Sequence, residues 1–75
     1  MWKEGIIGIH GTLYHYWIKV YDEGSVFGIE GGRISKLTIK RKGQTVCQYD
    51  RGWDMKPADE PTQLAYESLV HTENW

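Results

Sequence analysis

Length, composition and charge limit the kinds of protein that this sequence can encode. Its 75 residues suffice for a single domain, 1–75, and with 40% hydrophobic and 13% aromatic residues it is too apolar for a disordered chain. The formal net charge of −1 gives no overall field that would attract nucleic acid or an acidic membrane.

Membrane and secreted proteins have recognisable sequence patterns, and neither pattern is present. No apolar run approaches the ~20 residues of a membrane-spanning helix, and the first residues lack the basic-then-apolar start of a secretory signal. The single cysteine, Cys47, cannot by itself form an intrachain disulfide or a structural zinc site. We therefore expect a cytoplasmic protein without metal or cofactor.

The first predicted elements are two strands that form a hairpin. Residues 2–9 and 13–21 are rich in Ile, Tyr, Trp and Val, and residues 10–12 between them fit a reversal. Alternation along the second strand places one set of side chains in the core and leaves Trp17 and Tyr21 on the other face. Because so short a domain buries little surface, and because both faces of this strand carry aromatic residues, we expect a homodimer. The predicted core positions are Tyr14, Tyr16, Ile18 and Val20.

Glycines dominate the segment between the two hairpins. Gly28, Gly31 and Gly32 fall within five consecutive positions after a short extended stretch. Glycine allows a positive φ or a close approach of two backbones. We interpret the segment as a tight structural corner rather than a ligand cradle.

Residues 33–40 and 44–50 form the second predicted hairpin, and two registers compete for its turn. A two-residue loop would require a positive φ at a lysine, whereas a three-residue loop over 41–43 needs a positive φ only at a glycine. The three-residue loop is therefore preferred, and it places Leu37 opposite Cys47. In this register the inward side chains are Ser35, Leu37, Ile39, Thr45, Cys47 and Tyr49, and the outward ones are Lys36, Thr38, Lys40, Val46 and Gln48.

The last quarter of the chain has the spacing of an amphipathic helix. A connector is predicted over 51–58, and Asp59 is the best N-cap for a helix over 59–72, after which Asn74 and Trp75 are expected to fray. The predicted fold class is α+β. It has an antiparallel β-sheet of four to five strands, built from two hairpins over 2–50, packed against one C-terminal α-helix.

Two motifs stand out, FGIEGGRISKL over 27–37 and YDRGWD over 49–54. Together with the acidic helix that follows them, they resemble a family of small uncharacterised proteins carried by bacterial genomes, phages and other mobile elements. The resemblance spans most of the chain. The family has no agreed activity, so the resemblance implies a bacterial host and a mobile-element setting but no reaction.

No group of side chains has the spacing of a catalytic or metal site. His10, His15 and His71 do not share a metal-ligand spacing, and the carboxylates lack the pattern of a calcium loop. Nucleophilic catalysis would need Ser or Cys beside a histidine, yet the predicted register turns Ser35 and Cys47 inward. We therefore expect no catalytic residues and a protein that is not an enzyme.

Aromatic and arginine side chains favour a protein-binding module. One function of such a module would be to inhibit a host defence protein. Within YDRGWD, a structural interpretation has Trp53 clamping the sheet to the helix, and a functional one joins it to two arginines as an interface anchor. Both remain open at this stage. The candidate protein-binding residues are Trp17, Tyr21, Arg33, Arg51 and Trp53.

The alternative hypothesis is a nucleic-acid or nucleotide binder that uses the basic segment 33–42. Residues 33–53 carry six Lys and Arg residues against a single acid, Asp50. Basic side chains beside aromatic rings on a sheet are a common way to hold a single strand. The candidate residues for this alternative are Arg33, Lys36, Lys40, Arg41 and Lys42.

Overall fold

The computed structural model describes all 75 residues and shows an α+β fold. One five-stranded antiparallel sheet has its strands in chain order, and a single α-helix packs against one of its faces. The predicted fold class is confirmed. The strands are β1 (Trp2–Ile9), β2 (Thr12–Val20), β3 (Ile34–Arg41), β4 (Gln44–Asp50) and β5 (Trp53–Met55), and the helix is α1 (Glu60–Glu73).

The first hairpin closes with a two-residue turn. His10 and Gly11 both have positive φ, 50° and 81°, as a type I′ turn requires. Thr12, which we expected in the reversal, instead pairs with Ile9 as the first residue of β2. The register then runs unbroken to Trp2 opposite Lys19.

The second hairpin contradicts the predicted three-residue loop. Its turn has two residues, and Lys42 takes the positive φ, 52°, that the sequence argument avoided. A bulge in β4 then inserts one extra residue, so Leu37 lies opposite Tyr49 rather than Cys47. The tight turn and the bulge together replace the single three-residue loop.

The bulge also changes two predicted side-chain positions. Val46, predicted outward, is the extra residue and is buried, and its carbonyl accepts the Ala58 N–H at 3.0 Å. Thr45, predicted inward, pairs with Lys40. Beyond the bulge the alternation is as predicted, because one additional residue restores the inward direction of Cys47 and Tyr49.

The core lies between the sheet and α1. Sheet side chains such as Tyr14, Ile18 and Leu37 are buried against Ala65 and Leu69 of the helix. Cys47 is a fully buried core residue, and this burial raises the pKa of its thiol to about 12. A thiol held in this state is a packing group rather than a nucleophile.

Two predicted boundaries differ in the structure. The sheet extends past residue 50, because the predicted connector over 51–58 contains the short strand β5. Asp59 is the N-cap, as predicted, and its side chain accepts the Thr62 N–H at 2.9 Å. The helix then continues to Glu73, one residue beyond the predicted end.

Asn74 does not fray, contrary to expectation. Its side chain is fully buried, and its amide donates to the Ile29 carbonyl at 2.9 Å while accepting the Ile34 N–H at 2.8 Å. Its own carbonyl accepts the Arg33 N–H at 2.9 Å. Gly32 makes room for this amide, since a Cβ there would lie 2.2 Å from the Asn74 side-chain nitrogen. The glycine-rich corner is therefore a socket for the end of α1.

Candidate binding surface

The sheet face opposite α1 carries no covering element, and we call it the open face. Strand pairing places its side chains in rows across the sheet, with Trp2 beside Lys19 and Lys36, and Glu4 beside Trp17 and Thr38. The open face comprises Trp2, Glu4, Ile6, Leu13, His15, Trp17, Lys19, Lys36, Thr38, Lys40 and Gln48.

The part of the open face on β1 and β2 is apolar. Trp2, Ile6 and Leu13 are 59%, 62% and 66% exposed, although a buried position would suit each of them better. Trp17 is partly covered by His15, whose ring stacks on the indole with 4.0 Å between ring centroids. This histidine also lies 2.7 Å from the carboxylate of Glu4.

The part of the open face on β2 and β3 is cationic. Lys19 lies directly opposite Lys36, and like charges in this position destabilise a sheet. Asp50 is 3.8 Å from Lys36, but neither Lys19 nor Lys40 has a carboxylate within 4.0 Å. The side chains of these two lysines therefore retain charge that an acidic ligand would neutralise.

The lysines and tryptophans of the open face are in mutual contact. The Lys19 ammonium lies 5.9 Å from the centroid of the Trp2 ring, and the Lys40 ammonium 5.7 Å from that of Trp17. A shallow depression of about 330 Å³ lies between Trp2, Trp17, Thr38 and Lys40. One surface therefore offers apolar rings and positive charge side by side.

The predicted protein-binding residues do not form one group. Trp17 is on the open face, and Tyr21 lies just beyond the end of β2, with the Lys19 ammonium 5.3 Å from its ring centroid. Hydrogen bonding to Lys19 and its positive charge lower the pKa of the Tyr21 phenol. The remaining three, Arg33, Arg51 and Trp53, lie elsewhere.

Trp53 and the two arginines have local structural contacts instead. Trp53 packs edge-to-face on Tyr49 and Tyr66, with ring centroids 5.1 Å and 5.3 Å away, which agrees with the structural interpretation of this residue. The guanidinium of Arg33 donates to the carbonyl of Glu73 at the helix end, and that of Arg51 lies 5.8 Å from the Phe27 ring. Each of these three side chains therefore has a contact within the fold, and their role as an interface anchor stays a prediction.

The predicted basic segment is also divided. Lys36 and Lys40 share the open face, whereas Arg33 lies at the C-terminus of α1 and Lys42 lies in the turn. Arg41 points to the helix side, where it donates to Asp59 at 2.7 Å and to the Tyr14 hydroxyl at 3.2 Å.

Sequence reasoning did not name two members of the open face, Trp2 and Lys19, among the candidate binding residues. Alternation along β2 did place Lys19 beside Trp17, but its position opposite Lys36 depends on how the two hairpins pair. That pairing contains a bulge between Lys19 and Val20, which no local motif signals.

The Asp59 carboxylate is the basis of a pH-dependent prediction. Hydrogen bonding to Thr62 and to Arg41 lowers its pKa from 3.8 to about 2. Its stabilising contribution is therefore complete above about pH 4 and is lost as the pH falls through about 2. We expect Asp59→Asn, which keeps a capping oxygen but no charge, to be less stable than wild type at pH 6.

Chemical denaturation of both proteins at pH 6, 4, 3 and 2 measures this effect. The difference in free energy of unfolding between wild type and Asp59→Asn should narrow as the pH falls from 4 to 2. A difference that stays constant over this range would contradict the role of the charge.

Two other structural features bear on the kind of site present. No three His, Cys, Asp or Glu side chains are grouped so that they could hold a metal ion. The only α-helix is neither long enough nor apolar enough to cross a membrane.

Comparison with known proteins identifies a family but no activity. A family model described as a domain of unknown function (DUF7678) matches residues 1–74. The chain belongs to this family. Neither the curated proteins nor the solved structures yielded a match. Since the family match covers all five strands and the helix, the open face and the Asn74 socket both lie within the family domain.

Proposed function

We propose that the protein is a non-enzymatic protein-binding module whose open face binds a partner with acidic and apolar side chains. The single observation that carries the proposal is the composition of this face. Exposed apolar side chains, Trp2, Ile6 and Leu13, lie beside Lys19 and Lys40, which have no carboxylate partner.

The aliphatic members of the open face favour a protein over a nucleic acid. A base can stack on an indole, but it gains little from Ile6 and Leu13, each more than 60% exposed. A protein partner can bury aliphatic and aromatic groups together and place carboxylates opposite the lysines. Tryptophan is also the residue type that most often dominates such interfaces.

The resemblance to mobile-element proteins supplies a biological setting for the proposal. In this setting the module acts in the cytoplasm of a bacterial host, and its partner is a host protein such as a defence enzyme. Covering a functional surface of that partner would inhibit it without any chemical step. The experiment below does not depend on this setting.

Trp17→Ala is the variant that tests the open face. Affinity-tagged wild-type protein should capture a partner from a bacterial lysate, and the variant should bind that partner about 30-fold more weakly, which corresponds to the loss of one interface hot spot. Titration of the identified partner by isothermal calorimetry gives the ratio.

Trp75→Ala is the matched control, because it makes the same substitution at an exposed tryptophan that follows α1 and is not part of the open face. It should bind as wild type does. Equal binding by wild type and Trp17→Ala would remove the open face as the site, and so would equal losses in the two variants.

A second candidate function, binding of single-stranded nucleic acid, is favoured by the cationic part of the open face. Lys19 opposite Lys36, with Trp2 and Trp17 beside them, offers phosphate contacts and stacking surfaces. It predicts that affinity for labelled oligonucleotides falls steeply between about 50 and 200 mM salt, because counterions are released on binding. Fluorescence polarisation that shows no binding at about 50 mM salt would reject this candidate.

A further inference from the structure

β1 has a free edge along its whole length. β1 pairs with β2 alone, so its other side has no neighbouring strand. The strand is eight residues long, has no bulge in its pairing and contains no proline. β5 at the opposite edge has three residues and an irregular register. Natural sheets often shorten, bend or charge their edges. The β5 edge is short and irregular, whereas the β1 edge is long and regular and carries one opposite-charge pair, Lys3 and Glu4.

The pairing of β1 with β2 determines which backbone groups point to the free edge. Met1 and Val20 exchange both backbone hydrogen bonds, at 2.8 Å and 2.9 Å. In an antiparallel ladder such pairs alternate with pairs that make no mutual bonds. Residues 3, 5, 7 and 9 therefore bond to β2, and the N–H and C=O groups of Trp2, Glu4, Ile6 and Gly8 point outward.

We propose that β1 pairs antiparallel with β1 of a second copy of this chain across a two-fold axis. In one register Trp2 lies opposite Gly8 of the second copy, and Glu4 lies opposite Ile6 of the second copy. This register uses all four outward-pointing residues of each copy, with roughly eight backbone hydrogen bonds between the copies. The product is a continuous ten-stranded sheet.

The composition of β1 suits pairing with itself. Lys3 and Glu4 leave the strand without net charge, and the chosen register avoids placing Glu4 opposite its own copy. The indole of Trp2 would lie over Gly8, where no side chain competes for the space. The chain already uses this arrangement internally, since the Tyr16 ring covers Gly5, and a Cβ on Gly5 would lie 2.6 Å from the Tyr16 hydroxyl.

The geometry on both sides of the edge is compatible with a second copy. The side chains of Trp2, Glu4 and Ile6 all point to the open face, so both helices lie on the other side of the joined sheet. On the helix side, a groove of about 500 Å³ lies between the end of β1 and α1 and is lined in part by Ile9 and Leu64. The dimer would join two open faces into one surface twice as wide.

Ile6→Pro tests the edge directly. It removes an outward-pointing N–H from each copy but no hydrogen bond between β1 and β2. Proline is tolerated at such a position of an edge strand, where the N–H does not bond to the neighbouring strand. By symmetry two bonds between the copies are lost, so the dimer dissociation constant should rise roughly tenfold to a hundredfold. Sedimentation velocity over a concentration series measures it. Ile6→Ala, which shortens the same side chain and keeps the N–H, is the matched control and should remain closer to wild type.

The outcomes separate this dimer from other arrangements. A wild-type chain that stays monomeric at about 100 μM overturns the proposal. A dimer that is disrupted by Leu13→Lys but not by Ile6→Pro also overturns it, because such a dimer would form through the open face. If Ile6→Pro does not fold, hydrogen exchange on the wild type decides. The Glu4 and Ile6 amides should gain protection as concentration rises, and unprotected exchange at every concentration rejects the pairing. None of these measurements depends on the binding partner proposed above.

Discussion

Asn74→Ala is expected to lower the free energy of unfolding by about 2–5 kcal/mol. The change leaves the Ile34 N–H and the Ile29 carbonyl without their partners in a site that excludes solvent. Each buried backbone group left unpaired costs about 1–3 kcal/mol. For a domain of this size that is a large part of the total stability. Urea denaturation followed by tryptophan fluorescence measures the change.

Asn74→Asp separates the two hydrogen bonds of this amide. It keeps an oxygen for the Ile34 N–H but places a second oxygen against the Ile29 carbonyl, so it should be at least as unstable as Asn74→Ala at neutral pH. Trp75→Ala, one residue further along, removes an exposed side chain and should change stability by less than about 1 kcal/mol. An Asn74→Ala protein as stable as wild type would show that the socket does not depend on the amide.

Trp53→Ala is expected to cost about 2–4 kcal/mol, although sequence reasoning could place this residue at an interface. Its ring packs on Tyr49 of the sheet and Tyr66 of the helix, and it is 38% exposed, so most of its surface is lost from water on folding. Removing the ring eliminates its contacts with both the sheet and the helix beside β5. Thermal and urea unfolding of the variant give the loss.

Comparison with Trp17→Ala distinguishes a structural tryptophan from a binding one. Trp17 is on the open face, where its contacts are His15 and Lys40 rather than the core. Its truncation should lower the free energy of unfolding by less than about 1.5 kcal/mol but weaken partner binding. Trp53→Ala should lower the free energy of unfolding more, and the molecules that remain folded should bind the partner as wild type does. Similar stability losses in the two variants would contradict the separate roles.

Local sequence signals were sufficient for the first four strands, for the helix and for most of the core, but not for the short strand β5. Alternation identified the inward side of β2, and the acidic N-cap before a proline identified the start of α1 at Asp59. These features depend on residues close together in the chain, where propensity and spacing act directly. The same reasoning placed Cys47 in the core, and the structure confirms it.

The second hairpin shows where local signals are insufficient. The sequence argument rejected a positive φ at Lys42, which does carry a cost, but the two-residue turn matches the twist of the strands and the bulge at Val46 restores the inward face. Two local irregularities that compensate one another cannot be ranked from propensities alone. The comparison of the two loop lengths therefore predicted the correct inward direction of Cys47 and Tyr49 but the wrong turn.

Asn74 and the lysine pair were beyond sequence reasoning for a different reason. The amide of Asn74 has partners 40 and 45 residues earlier in the chain, and Lys19 meets Lys36 only because β2 pairs with β3. Such contacts depend on the complete topology. Polar residues near a chain end are usually solvated, and this default interpretation failed at Asn74, whose side chain is fully buried.

The meander topology has a consequence for the order in which contacts form. Each strand pairs with the strand that precedes it, so every step of sheet assembly closes a short loop at small entropic cost. Only α1 makes contacts that span most of the chain, such as Lys3 with Glu73 at 2.7 Å. During translation all five strands emerge before the helix, and the ribbon can assemble from one end to the other as it leaves the ribosome. The arrival of Asn74 in its glycine-lined socket would then complete the fold.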